Sequence, residues 1–456
     1  MSTTPQACLP PYLPDRAILE LGDAFYDPVE AADFPQTKLR FRNGRAAAEV
    51  GLARLSEAEW LTHFGRFAPL PDSLTHPLAL RYHGHQFRQY NPEIGDGRGF
   101  LFAQLRDGHG RLMDLATKGS GTTPWSRFGD GRLTLKGGVR EVLATEMLQA
   151  LGVNTSRSFS LIETGEALER GDEPSPTRSA VLVRLSHGHI RIGTFQRLAY
   201  LRDAENMERL VGYVLRNLYG EEPGADAAVR LLDLVVDRTA TLAASYMAAG
   251  FVHGVLNSDN INVTGESFDY GPWRFAPIWD PGFTAAYFDH QGLYAFGRQA
   301  EAIRWDTMQL AVSLRTVSAA EPLIAVLDTF AERYQHMVAK TILWRLGVVP
   351  RDTASDRAVV QAVESGLSAS GAGIDRFFFD AFGGVAPAGE AFAEARATLA
   401  DYTPRKPRDH PYWNGDPCSM LIDEVEAIWA AIDSQDDWKP LAAKIAAIRE
   451  MGAALA

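Results

Sequence analysis

A nearly unbroken apolar run at 100–105 and a returning, partly apolar segment at 111–117 flank Asp107-Gly108-His109-Gly110. Turn residues between two such segments predict a β-hairpin, here approached through Gly95-Asp96-Gly97-Arg98-Gly99. The period then changes. Val139, Val142, Leu143, Met147, Ala150 and Leu151 recur at three- and four-residue steps, which predicts an amphipathic helix after Gly137-Gly138 that ends at Gly152. A short apolar run at 179–185 predicts a strand. Beyond about Thr194 the pattern is mostly helical, with helices predicted over 204–219, 226–249, 298–317, 319–346, 420–433 and 438–454. The first 80 residues are irregular and proline-rich, apart from a helical stretch near 46–64, and 404–417 reads as a Pro/Asp-rich connector. Strands followed by helices predict an α+β chain in two lobes, 1–200 and 201–456. A cleft between two such lobes is a common place for a ligand.

Composition narrows the function classes. The chain has 456 residues, of which 46% are apolar and 22% charged, enough to bury a large core and too apolar for global disorder. Its formal net charge of −12 argues against a protein that coats nucleic acid, while leaving room for a local basic pocket. Cys8 and Cys418 are too few for a disulfide framework or a four-cysteine zinc site. No secretory signal and no long apolar run is visible, so the expectation is a cytoplasmic protein without a membrane or nucleic-acid partner.

The sharpest chemical signal lies at 251–271. His253 and Asn260 are seven apart, the spacing of the protein-kinase H-R-D-x-x-x-x-N loop, and Asp269-Tyr270-Gly271 stands where a D-F-G turn would lie. Asn260 and Asp269 are oxygen donors suited to Mg²⁺, with phosphates and waters completing its shell. The kinase base, two residues after the His, is replaced by Val255, which accepts no proton. A carboxylate appears instead at Asp259; the bland alternative is that Asn257, Asp259 and Asn260 are only turn residues.

Lys118 closes the predicted hairpin, as a phosphate-neutralising lysine would, and either Glu141 or Glu146 on the following helix could pair with it. Arg184 and Arg191, a short loop apart, could clamp phosphate oxygens or serve as structural ion pairs. Gly95-Asp96-Gly97-Arg98 and Gly129-Asp130-Gly131-Arg132 could bring backbone amides close to phosphates, although such sequences are also common turns. His83-Gly84-His85 and His187-Gly188-His189 look metal-like but lack ligands at zinc spacing. Asp280-Pro281-Gly282-Phe283 rivals the D-F-G position but reads as a turn. There is no G-x-S-x-G elbow and no G-x-x-x-x-G-K-[ST] loop.

These motifs, in this order, resemble the SelO (YdiU) family of kinase-like protein adenylyltransferases. The resemblance rests on YHGHQF (82–87), GDGR (95–98), KGSGTTPWSRFGDGR (118–132), Arg140-Glu141, VLVR (181–184), IRIG (190–193), HGVLNSDN, DYGP and DPGF within 251–283, and DHQGLYAFGR (289–298). It implies a protein-kinase-like fold with a β-rich N-lobe and a helical C-lobe carrying extra helices. It also implies transfer of AMP from ATP, bound back to front relative to kinases, onto Ser, Thr or Tyr hydroxyls of proteins. By position, Gly95, Gly97, Arg98, Lys118, Asp130, Gly131, Arg184 and Arg191 resemble the nucleotide-binding residues. Asn260 and Asp269 resemble the Mg²⁺ ligands, with Asp269 also meeting ATP. Asp259 resembles the proton acceptor, and Glu141 the partner of Lys118. Some members are associated with UTP and Mn²⁺, so both belong to what the resemblance implies. Some also end in a Cys- or selenocysteine-bearing redox motif; no Cys follows Cys418 here, which argues against redox control through such a tail. Two further readings stay open: a nucleotide-binding pseudokinase scaffold without transfer, and a divergent protein kinase.

Overall fold

The protein was analysed as a computed structural model that describes residues 10–171 and 173–456, so Cys8 and most of the stretch read for a signal lie outside the described residues. Contacts divide the chain into two compact units. The first holds Met1–Val142, Ser156–Leu231 and Val312–Ser318; the second holds Leu143–Thr155, Leu232–Ala311 and Ala319–Ala456.

The first unit is built on a nine-stranded sheet whose strand pairs are antiparallel. In chain order its strands are β1 (Pro14–Asp15), β2 (Tyr26–Pro28), β3 (Lys38–Arg42), β4 (Leu78–Leu80), β5 (Leu101–Arg106), β6 (Leu112–Lys118), β7 (Leu133–Thr134), β8 (Arg157–Leu168) and β9 (Thr177–Ser186). They lie in the order β2-β4-β5-β6-β9-β8-β3, with β1 on β5 and β7 on β9. The anticipated hairpin is β5–β6, turned at Asp107, whose Oδ1 accepts from His109 N and Arg111 N, both at 2.9 Å. The helical stretch near 46–64 is two helices, α1 (Gly44–Glu49) and α2 (Glu57–Phe64). The second starts at a capping box, Ser56 with Glu59, which begins a new helix where one continuous helix was expected. Trp60 of α2 stacks on Phe159 at 4.9 Å and donates to Ser160 Oγ at 2.9 Å, fixing the helix on β8 within an aromatic core.

Helix α3 (Leu135–Ala150) begins before the glycines rather than after them. Gly137 N donates to Thr134 Oγ1 at 3.1 Å, and a Cβ on Gly138 would stand 2.4 Å from Leu161 Cδ1. The pair therefore serves the first turn's close approach to the sheet instead of introducing the helix. Helices α4 (Ile192–Leu201) and α5 (Ala204–Val214) also belong to the first unit, so the contacts divide the chain elsewhere than after residue 200. Arg197 Nη1 donates to Ala24 O at 3.0 Å, Arg209 Nη1 to Leu21 O at 3.2 Å, and Gln104 Nε2 meets Tyr213 Oη at 3.4 Å, which explains that allegiance. The helix expected over 204–219 ends as α5 at Val214 and continues as a wider π turn, Leu215–Tyr219.

The second unit is helical. It contains most of α6 (Ala227–Ala249) and of α7 (Gln299–Leu314), then α8 (Ala320–Leu327), α9 (Phe330–Arg345), α10 (Thr353–Ser370), α11 (Ile374–Ala381), α12 (Ala393–Leu399), α13 (Ile422–Gln435) and α14 (Lys439–Leu455). The expected 319–346 helix is two, α8 and α9, parted where Thr329 Oγ1 donates to Val326 O at 2.7 Å. Its core gathers Val359, Val363, Leu367, Phe377 and Phe392, with Phe377 stacked on Phe392 at 5.0 Å. Residues Leu143–Thr155 of the chain join this unit, where Arg449 of α14 grips Glu146 with two bonds of 2.8 and 2.6 Å. Cys418 is buried, and burial pushes its thiol up to about 11, so it stays protonated at neutral pH. No helix among the described residues is long and apolar enough to cross a membrane.

Candidate active site

In the first unit, Lys118 ends β6 and is buried, and its Nζ donates to Glu141 Oε1 on α3. Of the two glutamates open as partners, Glu141 meets the lysine, while Glu146 belongs to Arg449. The β6–β9 register sets Lys118 opposite Leu182, Ala116 opposite Arg184, and Asp114 opposite Ser186. Directly opposed residues of an antiparallel pair share a face. Lys118 and Arg184 are therefore diagonal neighbours on one face of the sheet, two buried cations side by side. Arg191 is buried at the residue preceding α4; its Nη2 lies 3.5 Å from Asp96 Oδ1 and its guanidinium carbon 4.5 Å from the Tyr82 ring centre.

The Gly-Asp-Gly-Arg loop is packed rather than open. A Cβ on Gly95 would stand 2.6 Å from Trp125 Cγ, and one on Gly97 2.8 Å from Trp125 O. Thr123 Oγ1 donates to Asp96 O at 2.5 Å, and Gly119 N to Arg98 O at 2.6 Å. The glycines thus let the 118–132 segment close down on the loop, with Arg98 left exposed. Sequence reasoning assigned no role to Trp125 or Thr123; their place inside the KGSGTTPWSRFGDGR run was the available signal. Gly131 has φ +70°, and a Cβ there would meet the Gly121 backbone at 2.2 Å. Asp130 is exposed and engaged by Arg170 Nη1 at 2.8 Å and by Arg132 N at 2.9 Å. Desolvation alone would raise its pKa, but these donors outweigh it and hold the carboxyl below its usual range.

In the second unit, His253 is buried after α6, with Nε2 at 2.9 Å from Phe268 O and its backbone N donating to Gln299 Oε1 at 3.0 Å. It acts as a splint for the loop. Ser258–Asn260 form a 3₁₀ turn in which Asn260 N donates to Asn257 O at 2.8 Å. Asn260 Nδ2 donates to Val255 O at 2.9 Å, which commits the amide's nitrogen and turns its oxygen the other way. Asp259 is buried in the same turn. Asp269 adopts φ +59°, a left-handed conformation that a non-glycine residue seldom takes, and the turn is pinned by its neighbour: Tyr270 Oη donates to Ser267 Oγ at 2.7 Å and lies 2.5 Å from Thr155 Oγ1. Asp280 is the turn residue it was read as, its Oδ1 accepting from Gly282 N at 2.8 Å.

The histidine pairs have structural neighbours. His83 Nδ1 is 2.7 Å from Tyr90 Oη, His85 Nδ1 2.6 Å from Gln196 Nε2, and His189 Nδ1 3.7 Å from Asp114 Oδ2. Among the described residues, no three His, Cys, Asp or Glu side chains are gathered as a metal cluster. Asn260 and Asp269 offer one amide and one carboxylate, a hard oxygen set. Its chemistry fits Mg²⁺ or Mn²⁺ taking its remaining ligands from phosphate and water.

A family profile described as protein adenylyltransferase SelO matches residues 13–388. The chain belongs to the SelO family. By that membership it is an enzyme, a nucleotidyltransferase. Among SelO-family relatives, a Gloeobacter violaceus protein is 45% identical over 463 aligned positions, covering 96% of this chain and 95% of its own. One from Synechococcus elongatus is 51% identical over 354 positions, 76% of this chain and 70% of its own. One from Vibrio cholerae is 35% identical over 335 positions, 73% and 67%. All three bear the name protein nucleotidyltransferase YdiU.

Proposed function

We propose that this SelO-family enzyme transfers AMP from ATP to Ser, Thr or Tyr hydroxyls of other proteins and releases pyrophosphate. One observation carries the reading: the loop that has Val255 at the kinase base position holds a buried carboxylate, Asp259, in the same turn as Asn260. In this reading Asp259 takes the acceptor's proton as its oxygen bonds to the α-phosphorus. The bond from that phosphorus to the bridging oxygen breaks, and the electron pair leaves with pyrophosphate. Lys118, Arg184 and Arg191 stabilise the charge that gathers on the leaving group. Gly95, Gly97, Arg98, Asp130 and Gly131 hold the rest of the nucleotide, in the reversed sense that the family implies. Asn260 and Asp269 would hold a divalent cation, which supplies charge neutralisation at the phosphate oxygens. A kinase-like pair of lobes belongs to the same reading, supported by a sheet unit carrying the Lys118–Glu141 pair and a helical unit carrying the His253–Asn260 loop. A cytoplasmic setting, where thiols stay reduced, also belongs to it.

ATP labelled on the α- or the γ-phosphate provides the test. Label reaching protein from the α position alone, lost in Asp259→Ala with nucleotide binding kept, is the expected outcome; the fall in kcat should be about 10²–10⁴. Transfer from γ would make the chain a kinase, and binding without transfer under Mg²⁺ or Mn²⁺ would make it a scaffold. Repeating the assay with UTP decides the nucleotide.

A further inference from the structure

A phosphate-binding arginine ends a long flexible side chain, and ordering it on binding costs affinity unless the protein has already ordered it. Around Arg191 that ordering is built in. Its backbone stands at the residue preceding α4, its guanidinium carbon lies 4.5 Å from the centre of the Tyr82 ring, and Nη2 faces Asp96 Oδ1 at 3.5 Å. The side chain is 4% exposed. Ring and carboxylate thus act on the guanidinium from a face and an edge.

Both neighbours are themselves held. Asp96 N donates to Leu80 O at 3.0 Å, Asp96 Oδ2 accepts from Leu80 N at 3.0 Å, and its carbonyl accepts from Thr123 Oγ1 at 2.5 Å. Tyr82 is buried, and the next residue, His83, donates its N–H to Gly193 O at 3.1 Å. A Cβ on Gly193 would stand 2.1 Å from His83 O, so only glycine lets the start of α4 come this close to the Tyr82 segment. The contact at 3.5 Å lies at the outer limit of a hydrogen bond, so Asp96 acts mainly through its charge.

We propose that Asp96 and Tyr82 are positioning residues that aim the Arg191 guanidinium at the phosphates of the bound nucleotide. The inference rests on the transferase reading, in which Arg191 is a phosphate ligand. Asp96 and Tyr82 act through Arg191, not on the substrate. A structural ion pair with a stacked ring is the competing explanation, and it differs in one respect: its loss would lower the melting temperature while leaving the affinity of the folded chain for the nucleotide unchanged.

The test is a mutant cycle in the full chain, read by calorimetric titration with Mg²⁺ and α,β-methylene-ATP, whose methylene bridge resists cleavage at the α-phosphorus. Asp96→Asn and Tyr82→Leu should each weaken binding about three- to tenfold, and Tyr82→Phe, which keeps the ring, should stay within about twofold of the parent. In an Arg191→Ala background neither Asp96→Asn nor Tyr82→Leu should weaken binding further. Unchanged affinity in the single variants, or equal losses with and without Arg191, would overturn the proposal. If Asp96→Asn fails to fold, the Tyr82→Leu and Tyr82→Phe pair carries the comparison. A parent chain that binds the analogue but moves no α label would sink the transferase reading alone, and the cycle would still decide the positioning claim.

Discussion

Lys118 and Glu141 are both buried, with side-chain exposures of 7% and 1%, and their contact joins β6 to α3. Removing one partner of such a pair leaves an uncompensated charge in the interior, a loss of about 3–5 kcal/mol. Lys118→Met should therefore lower stability as well as transfer, which confuses the two roles. Adding Glu141→Gln removes the stranded charge. The double variant is expected to recover most of the stability lost in denaturant melts, while transfer stays down by about 10²–10³ because the lysine charge is missing from the phosphates. Recovery of both together would confine Lys118 to structure. Periodicity alone left Glu141 and Glu146 level as partners, because both lie on one helix and a periodicity carries no information about what faces each position; the family resemblance was what favoured Glu141. The choice is made by Arg449, some 300 residues away in sequence, which takes Glu146. The residue types of the candidate site were legible; their partners came from elsewhere in the fold.

Elements were legible where local pattern and burial agree. The β5–β6 hairpin, β9 and the long helices α6, α7, α13 and α14 carry either turn residues between apolar runs or three- and four-residue apolar steps. Strand β8 was missed because its sequence, Arg157 to Leu168, mixes apolar residues with Arg157, Ser158, Ser160, Glu163, Thr164, Gly165 and Glu166. Some of those polar groups find partners on neighbouring strands: Glu163 accepts from Arg40 Nε of β3 at 2.6 Å and Arg178 Nε of β9 at 2.7 Å. Helix α10 was missed too; its start is marked by Asp352, whose Oδ1 accepts from Ala354 N and Ser355 N at 3.1 Å. At this scale the Glu146–Arg449 pair carries a prediction for α14. Arg449→Ala should cost about 3 kcal/mol, because Glu146 keeps its charge at 2% side-chain exposure. Glu146→Gln with Arg449→Ala should recover part of it. Unchanged melting of Arg449→Ala would mean that α14 is held by its apolar face, through Leu441, Ile445 and Ile448, without help from the ion pair.

Across the molecule, buried and half-buried histidines of the first unit make its stability depend on pH. Desolvation, with the Arg197 charge adding to it, pushes His83 down to about 4. Burial also lowers His85, against a hydrogen bond from Gln196 that raises it. His189 is lowered by burial foremost; Asp114 opposes this, while Arg184 and Arg191 add to it. An unfolded histidine titrates near 6.5. Between that pH and the depressed folded value, the unfolded chain binds protons that the folded chain refuses, so stability rises with pH. For His83 the loss therefore begins as pH falls through about 6.5 and is complete near 4. Carboxyls held low by arginines, such as Asp27 beside Arg81, lose their contribution only at lower pH, which separates the two effects. The melting temperature should accordingly fall between pH 6.5 and 4.5. His83→Gln, which keeps a polar group toward Tyr90 and cannot titrate, should melt with a shallower slope over that interval. Parallel slopes for variant and parent would show that His83 takes up its proton without unfolding, so that its burial does not oppose protonation as the desolvation argument requires.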